Sequence, residues 1–374
     1  MNKSQFYLRT DASFEIATGH VMRCITLAEK LREFGAECIF ICRDNPGNLI
    51  DFIREKGFTT RVLPYSRAKQ GRAEINADQL TSEEDGWHGT DLLTDAHQTL
   101  EAIGGNRIDW LIVDHYAIDE RWEIIVKSHC RKLMVIDDLA NRPHQCELLL
   151  DQNLGRDPSD YIKLLPTWCT VLTGPSFALL QPSFSDLREA SLARRKGSGL
   201  NRILISMGGV DASNSSCRVL ESLKKCRLPA HVILTVVMGK HAPHHRQVME
   251  LAKSMPWCTE VLVNVSNMAA LMAQCDLAIG AAGTTSWERC CLGLPTLLLV
   301  LADNQIPGAN ALHRSNSAIL LSDFESLDEQ LLHSLNLVST PEVLKNMSDS
   351  SAHVTDGLGT SRVIENLIAY SAMG

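Results

Sequence analysis

His20 is the residue whose type and position most directly offer chemistry. It stands in Thr18-Gly19-His20, just after Arg9-Thr10-Asp11-Ala12-Ser13, where an apolar run ends and an amphipathic stretch begins. Thr18 suits a helix cap, and Gly19 lets the backbone approach closely. A histidine beside the positive end of a helix is favoured in its neutral form, which suits a general base. A core or capping histidine is the alternative at such a place. No GxGxxG sequence occupies this turn, so the dinucleotide fingerprint is absent there.

Two further polar clusters close apolar runs. Asp114-His115-Tyr116 follows WLIV, and Asp137-Asp138 follows LMVI. A carboxylate from either place can hold His20 in one tautomer or bind sugar hydroxyls; capping of the next helix is the competing role.

Another cluster points to phosphate. The run DLAIG leads into Ala281-Ala282-Gly283-Thr284-Thr285-Ser286 and then WERCCLG. Backbone N–H groups and three hydroxyls at such a turn can share the charge of a diphosphate. Glu288 either accepts the two hydroxyls of a ribose or simply complements the helix terminus. Gly208 and Gly209, after ISM, and Asn304 and Gln305, after TLLLVLA, sit at the ends of similar runs. No convincing metal-ligand arrangement is present: His241, His244 and His245 flank a proline in an expected exposed loop. Walker A, HExxH and GxSxG patterns are absent, and no cofactor is implied.

The elements that must position these residues alternate regularly. QFYLRTD, AECIFICR, TTRVLPY, DWLIVDHY, KLMVIDD, ELLLDQN and CTVLTG read as strands, with helices at GHVMRCITLAEKLREFG, NLIDFIREKG, 91–103 and 119–130. On the first helix Val21, Cys24 or Ile25, Ala28, Leu31 and Phe34 share an apolar face. The second half repeats the pattern from NRILISMGG through HVILTVVMG, TEVLVN, DLAIGAAG and PTLLLVLA, with further helices near 310, 330, 342 and 360. Such alternation predicts α/β architecture with parallel sheets covered on both faces, and ligands beyond the strand carboxyl ends. The expected division is an N-terminal α/β domain at 1–180, a linker at 181–200 and a C-terminal α/β domain at 201–374, facing a cleft. Residues 65–90 read as a loop or small insertion, and Arg194-Arg195-Lys196 as part of a solvated linker.

Composition fits this picture. The 374 residues are 45% hydrophobic and 21% charged, enough for two cores. A net charge of −8 argues against general attraction to nucleic acid. No run of eighteen apolar residues predicts a membrane span, and the start has no apolar signal segment. Twelve scattered cysteines without a CxxC pair read as small buried thiols of a reducing, cytoplasmic compartment.

Taken in order, RTDASFEIATGHVMRCITLAEKL, LIVDHY, VIDDLANRPHQCELLLDQN, ISMGGVDASN and GAAGTTSWERCCLGLP-DNQ resemble the UDP-2,4-diacetamido-2,4,6-trideoxy-β-L-altropyranose hydrolases of pseudaminic acid synthesis. The resemblance covers nearly the whole chain. It implies two Rossmann-like domains in a glycosyltransferase-B-like arrangement, with 1–180 catalytic and sugar-binding and 201–374 UDP-binding. It also implies metal-free, inverting hydrolysis of a UDP-linked diacetamido trideoxy sugar, with His20 activating the water that attacks C1. Asp11 is then its catalytic companion, positioning substrate or histidine. Arg9, Ser13, Gly19, Asp114, His115, Tyr116, Asn304 and Gln305 become candidate substrate contacts. Gly208, Gly209, Gly283, Thr284, Thr285, Ser286 and Glu288 become candidate nucleotide contacts.

Two departures stand out. Ala17 replaces a glycine common in the family, which is tolerable where the local φ is negative. Cys146-Glu147 replaces the usual Cys-Asp, keeping the charge. A glycosyltransferase using a sugar or lipid-linked acceptor, and a noncatalytic nucleotide-sugar-binding module, are the alternative readings.

Overall fold

The computed structural model describes residues 3–65, 90–105, 107–197, 199–240 and 242–372. Most of the expected 65–90 loop, and His241, lie outside these residues. The chain forms two compact units, one of residues 1–151 and 156–173, the other of 152–155 and 174–374.

The first unit runs β1 (Gln5–Thr10), α1 (Gly19–Glu33), β2 (Glu37–Arg43), α2 (Ile50–Glu55), β3 (Thr59–Leu63), α3 (Leu92–Ile103), β4 (Ile108–Asp114), α4 (Glu120–Val126), β5 (Cys130–Ile136), β6 (Leu148–Asp151) and β7 (Thr170–Thr173). Among the described residues the strands form one parallel sheet of order β3-β2-β1-β4-β5-β6-β7. Its central strands are unbroken apolar runs because both faces are covered: Phe6, Tyr7, Leu8, Leu111, Ile112 and Val113 are all buried. The order reverses between β1 and β4, the place where such sheets open a crevice at the strand carboxyl ends.

The second unit runs α5 (Pro182–Arg195), β8 (Arg202–Ser206), α6 (Ser215–Leu223), β9 (Ile233–Met238), α7 (His245–Lys253), β10 (Cys258–Val263), α8 (Met268–Gln274), β11 (Leu277–Ala281), α9 (Thr285–Cys291), β12 (Thr296–Leu299), α10 (Ile306–Arg314), β13 (Ala318–Leu321), α11 (Leu327–Val338), α12 (Pro341–Val354) and α13 (Gly359–Ala372). Its parallel sheet has the order β10-β9-β8-β11-β12-β13, reversing between β8 and β11. The core of this unit gathers Ile203, Ile205, Leu234, Val236, Ile279 and Leu297 from neighbouring strands.

Residues 181–200 are not a linker loop. Pro182 occupies the first turn of α5, where a missing N–H costs nothing, and the helix packs within the second unit. Its arginines bind carbonyls that other helices leave open at their C-termini. Arg188 donates to Cys291, Ala352 and Thr355, and Arg195 to Met272, Cys275 and Leu292. Arg195 is therefore buried rather than solvated. The clamp on Cys291 and Leu292 fixes the far end of α9, whose near end carries the small-residue turn.

Other local expectations shift as well. Phe34 is exposed at the end of α1 instead of joining its apolar face. His245 begins α7 rather than lying in a loop, and His244 bonds the Ala212 carbonyl. All twelve cysteines are free thiols, and only Cys169 and Cys258 escape full burial. Glu147 pairs with Lys127 and accepts from Leu133 N.

Candidate active site

His20 opens α1 at the carboxyl edge of the first sheet, and β4 delivers Asp114 beside it because β4 is the immediate neighbour of β1. His20 Nδ1 lies 2.6 Å from Asp114 Oδ1. A carboxylate can only accept, so Nδ1 carries the hydrogen, and in the neutral ring the lone pair is then on Nε2. No hydrogen bond engages Nε2 among the described residues. The ring is nearly buried, with Tyr116 packed edge-on at 4.5 Å between centroids.

Arg23, one turn further along α1, grips the same carboxylate with Nε at 2.6 Å and Nη2 at 2.7 Å. Its other amino group reaches Asp138 at 2.7 Å, and Tyr116 donates to that same Asp138 oxygen at 3.0 Å. Burial would raise the Asp114 carboxyl, but Arg23 and His20 outweigh it and hold the group well below the usual carboxylate range. Asp114 thus stays ionised and keeps the imidazole in one orientation. Burial, reinforced by Asp138, pushes the Tyr116 hydroxyl up, so it remains a donor. Arg23 is the residue that sequence reasoning missed; its signal was the three-residue spacing from His20, which puts both on one helix face.

Asp11 does not serve His20. Arg9 and Asp11 are two residues apart, hence on one side of the extended chain, and they pair with each other at 2.7 Å. Asp11 also accepts from Arg43 N at 2.7 Å and lies 3.4 Å from His115 Nε2. Arg9 further binds Asp95, which Arg43 and Trp122 also approach. Arg9 is fully buried, so these two Arg–Asp pairs form an internal charge cluster instead of a substrate contact. His115 belongs to the same cluster: its Nδ1 accepts from Ala117 N, and burial lowers its pKa.

The loop between β1 and α1 is tightly built. Ser13 Oγ accepts from Glu15 N and Ile16 N, and Ser13 O from Ala17 N, so this serine braces the turn. Ala17 has φ +64°, so the negative φ at which its methyl would be tolerated without strain is not met. Thr18 makes no side-chain cap; its carbonyl accepts from Met22 N. Gly19 starts α1 directly before His20. Asp137 is occupied by Arg142 and Ala140 N.

In the second unit, the turns after β8, β11 and β12 emerge along one sheet edge. Gly208 has φ +89°, and Gly209 brings its carbonyl against Gly239 so closely that a Cβ there would lie 2.0 Å from it. After β11, no backbone bond engages the N–H groups of Gly283, Thr284 or Thr285 among the described residues. Thr284 precedes α9 without capping it, which leaves its hydroxyl available as well. Ser286 is buried, and Glu288 is half-buried with burial pushing its carboxyl up to about 7 against the pull of Arg289. Gln305 braces its own loop by accepting from Leu301 N at 2.9 Å, whereas Asn304 is exposed. A donor-lined turn beside a carboxylate suits an anionic group attached to a diol. Among the described residues no group of three His, Cys, Asp or Glu could hold a metal, and no helix is long and apolar enough to cross a membrane.

Residues 203–361 match the model of the glycosyltransferase family 28 C-terminal domain. The whole chain superposes on MurG of Acinetobacter baumannii with a TM-score of 0.67 at 14% identity, covering 97% of this chain and 99% of that one. The chain has the glycosyltransferase-B-like fold. It is 27% identical over 277 residues to the UDP-2,4-diacetamido-2,4,6-trideoxy-beta-L-altropyranose hydrolase of Campylobacter jejuni, covering 74% of this chain and 84% of that protein. An uncharacterized protein of Methanocaldococcus jannaschii is 26% identical over 78% of this chain, which spans only 54% of that protein's length.

Proposed function

We propose that the protein transfers a glycosyl group from a nucleotide diphosphate sugar to an oxygen nucleophile that His20 deprotonates. The observation that carries this reading is the His20–Asp114 dyad, with Nε2 open and Nδ1 anchored at 2.6 Å. The turn at 283–286 holds the diphosphate, and Glu288 accepts the ribose hydroxyls. General base catalysis of this kind contributes about 10²–10⁴-fold. Stabilising the departing diphosphate through N–H and hydroxyl donors supplies a further part of the barrier reduction. The pyrophosphate leaving group is acidic enough to depart without a second carboxylic acid. The family 28 match and the fold favour a sugar or lipid-linked hydroxyl as acceptor.

A second reading makes the nucleophile water. It is favoured by the identity to the Campylobacter hydrolase over most of that protein. On this reading the substrate is a UDP-linked 2,4-diacetamido-2,4,6-trideoxy sugar, cleaved at C1–O with inversion to free sugar and UDP.

One experiment separates the readings. Purified protein is incubated with UDP-diacetamido sugars in ¹⁸O-water, with and without sugar and polyprenyl acceptors. Acceptor-dependent UDP release marks a transferase; acceptor-independent release with label in the sugar marks a hydrolase. Binding without turnover under every condition would leave only a nucleotide-sugar-binding module and refute both.

A further inference from the structure

Beneath the turn that follows β11 lies a buried positive charge. Arg289 is 1% exposed and forms no salt bridge among the described residues; the neighbouring Glu288 carboxyl acts on it only through space, without an ion pair. Its guanidinium donates to the Ala281 carbonyl at 2.8 Å, to Ser286 Oγ at 3.0 Å and to Thr285 Oγ1 at 3.3 Å. The strand beside it is cut away to make room: a Cβ on Gly280 would meet Arg289 Nη1 at 2.6 Å and the Ser206 carbonyl at 3.0 Å. Burial lowers the Arg289 pKa to about 10, which leaves it protonated at neutral pH.

The hydrogen-bond chemistry has a direction. A guanidinium has donors and no acceptor. The oxygens of Thr285 and Ser286 therefore spend lone pairs on Arg289, and each hydroxyl must send its own hydrogen elsewhere. Among the described residues neither hydroxyl hydrogen has an acceptor, although Ser286 is only 4% exposed. On the inner side, a cavity of about 10 Å³ touches Ser286 and Arg289. It holds a single water at most. A buried cation without an ion-paired carboxylate and two hydroxyls with unspent hydrogens are together complementary to an anion.

We infer that Arg289 is a positioning residue of the diphosphate site, aiming the Thr285 and Ser286 hydroxyl hydrogens at phosphate oxygens and supplying the positive charge beneath them. The inference rests on the nucleotide-sugar reading and names a determinant within it. Arg289 touches the hydroxyls and acts through them.

The test compares the full-length wild type with Arg289→Met and Arg289→Lys, titrating inorganic pyrophosphate, UDP and uridine calorimetrically at one ionic strength. Arg289→Met should weaken pyrophosphate and UDP about tenfold or more and leave uridine within about twofold. Arg289→Lys should recover a large part of the loss by restoring the charge. Ser286→Ala, which leaves the guanidinium in place, should weaken pyrophosphate severalfold and serves where Arg289→Met fails to fold. Unchanged pyrophosphate binding in Arg289→Met or Ser286→Ala overturns the inference while the nucleotide-sugar reading survives. A parallel loss of uridine binding also overturns it, because that marks mere structural support. Pyrophosphate bound as tightly as UDP by the wild type, yet lost in Arg289→Met, upholds the inference and removes the nucleotide reading. No binding of either anion to the wild type removes both.

Discussion

His20 and Asp114 are 94 residues apart in the chain and meet through a 2.6 Å bond between Nδ1 and Oδ1. The same carboxylate is held on both oxygens by Arg23. The imidazole is thus fixed by an acceptor that is itself fixed, so its free Nε2 points one way without needing substrate to organise it.

Asp114→Asn tests that arrangement. An amide can present N–H to the ring and so reverse the tautomer, placing the hydrogen on Nε2, where it blocks base catalysis. Turnover should fall by about 10²–10⁴-fold, close to the loss in His20→Ala, while UDP affinity stays within about twofold in both. Single-turnover kinetics beside calorimetric UDP binding measure the two quantities. Equal losses of binding and turnover would assign the pair to folding instead.

Ala17, three residues before His20, adopts φ +64°, where a Cβ crowds the following carbonyl. Ala17→Gly removes that strain and adds unfolded-chain entropy, two effects of opposite sign. The strain is the larger, so we expect a gain of up to about 1 kcal/mol. Ala17→Val, β-branched at the same φ, should lose more than about 1 kcal/mol. Urea midpoints at constant slope decide it; a less stable glycine variant would show that the loop carries no such strain. The two variants also ask whether this turn sets substrate preference.

Much of this was legible in the sequence because a parallel sheet writes itself as apolar runs, and its polar run-ends mark the crevice. WLIV ending in Asp114 and DLAIG ending at the 283–286 turn are such cases. Partner choice was harder to read. Which carboxylate serves His20 depends on β4, rather than β2, bringing an aspartate to the carboxyl end beside α1. Asp11 is nearer in sequence but shares a side of the chain with Arg9, which takes it. Likewise, 181–200 looks like a linker by composition. Its arginines are helical and bound, and Arg195 is buried, because unpaired helix carbonyls await them, and nothing local encodes that.

Gly239 is fixed by a close approach that composition does not reveal. A Cβ there would stand 2.0 Å from the Gly209 carbonyl oxygen, a backbone atom that cannot swing away. Gly239→Ala must push the 207–211 turn outward, at a cost of about 1–3 kcal/mol. If Gly208 and Gly209 approach a nucleotide, UDP affinity should fall with stability in this variant. Thermal unfolding and UDP titration on the same preparation check both; an unchanged midpoint would mean that the two loops are not in contact.

Glu288 gives the pH prediction. Burial pushes its carboxyl from 4.5 up to about 7, with Arg289 opposing. Below the lower value both folded and unfolded chains hold the proton. Between the two values the unfolded chain has released it and the folded chain has not, so folding takes up a proton and stability falls as pH rises. Above about 7 both are ionised and the difference levels off. A tenfold change in proton affinity is worth about 1.4 kcal/mol, so the loss across this window is on the order of 1–3 kcal/mol. Glu288→Gln keeps the shape and abolishes the titration, so its stability should vary less between about pH 5 and about pH 8, by that amount. Denaturant unfolding of wild type and variant at both pH values gives the difference. Parallel curves for the two proteins would place the Glu288 carboxyl in water, and the ribose contact assigned to it would go as well.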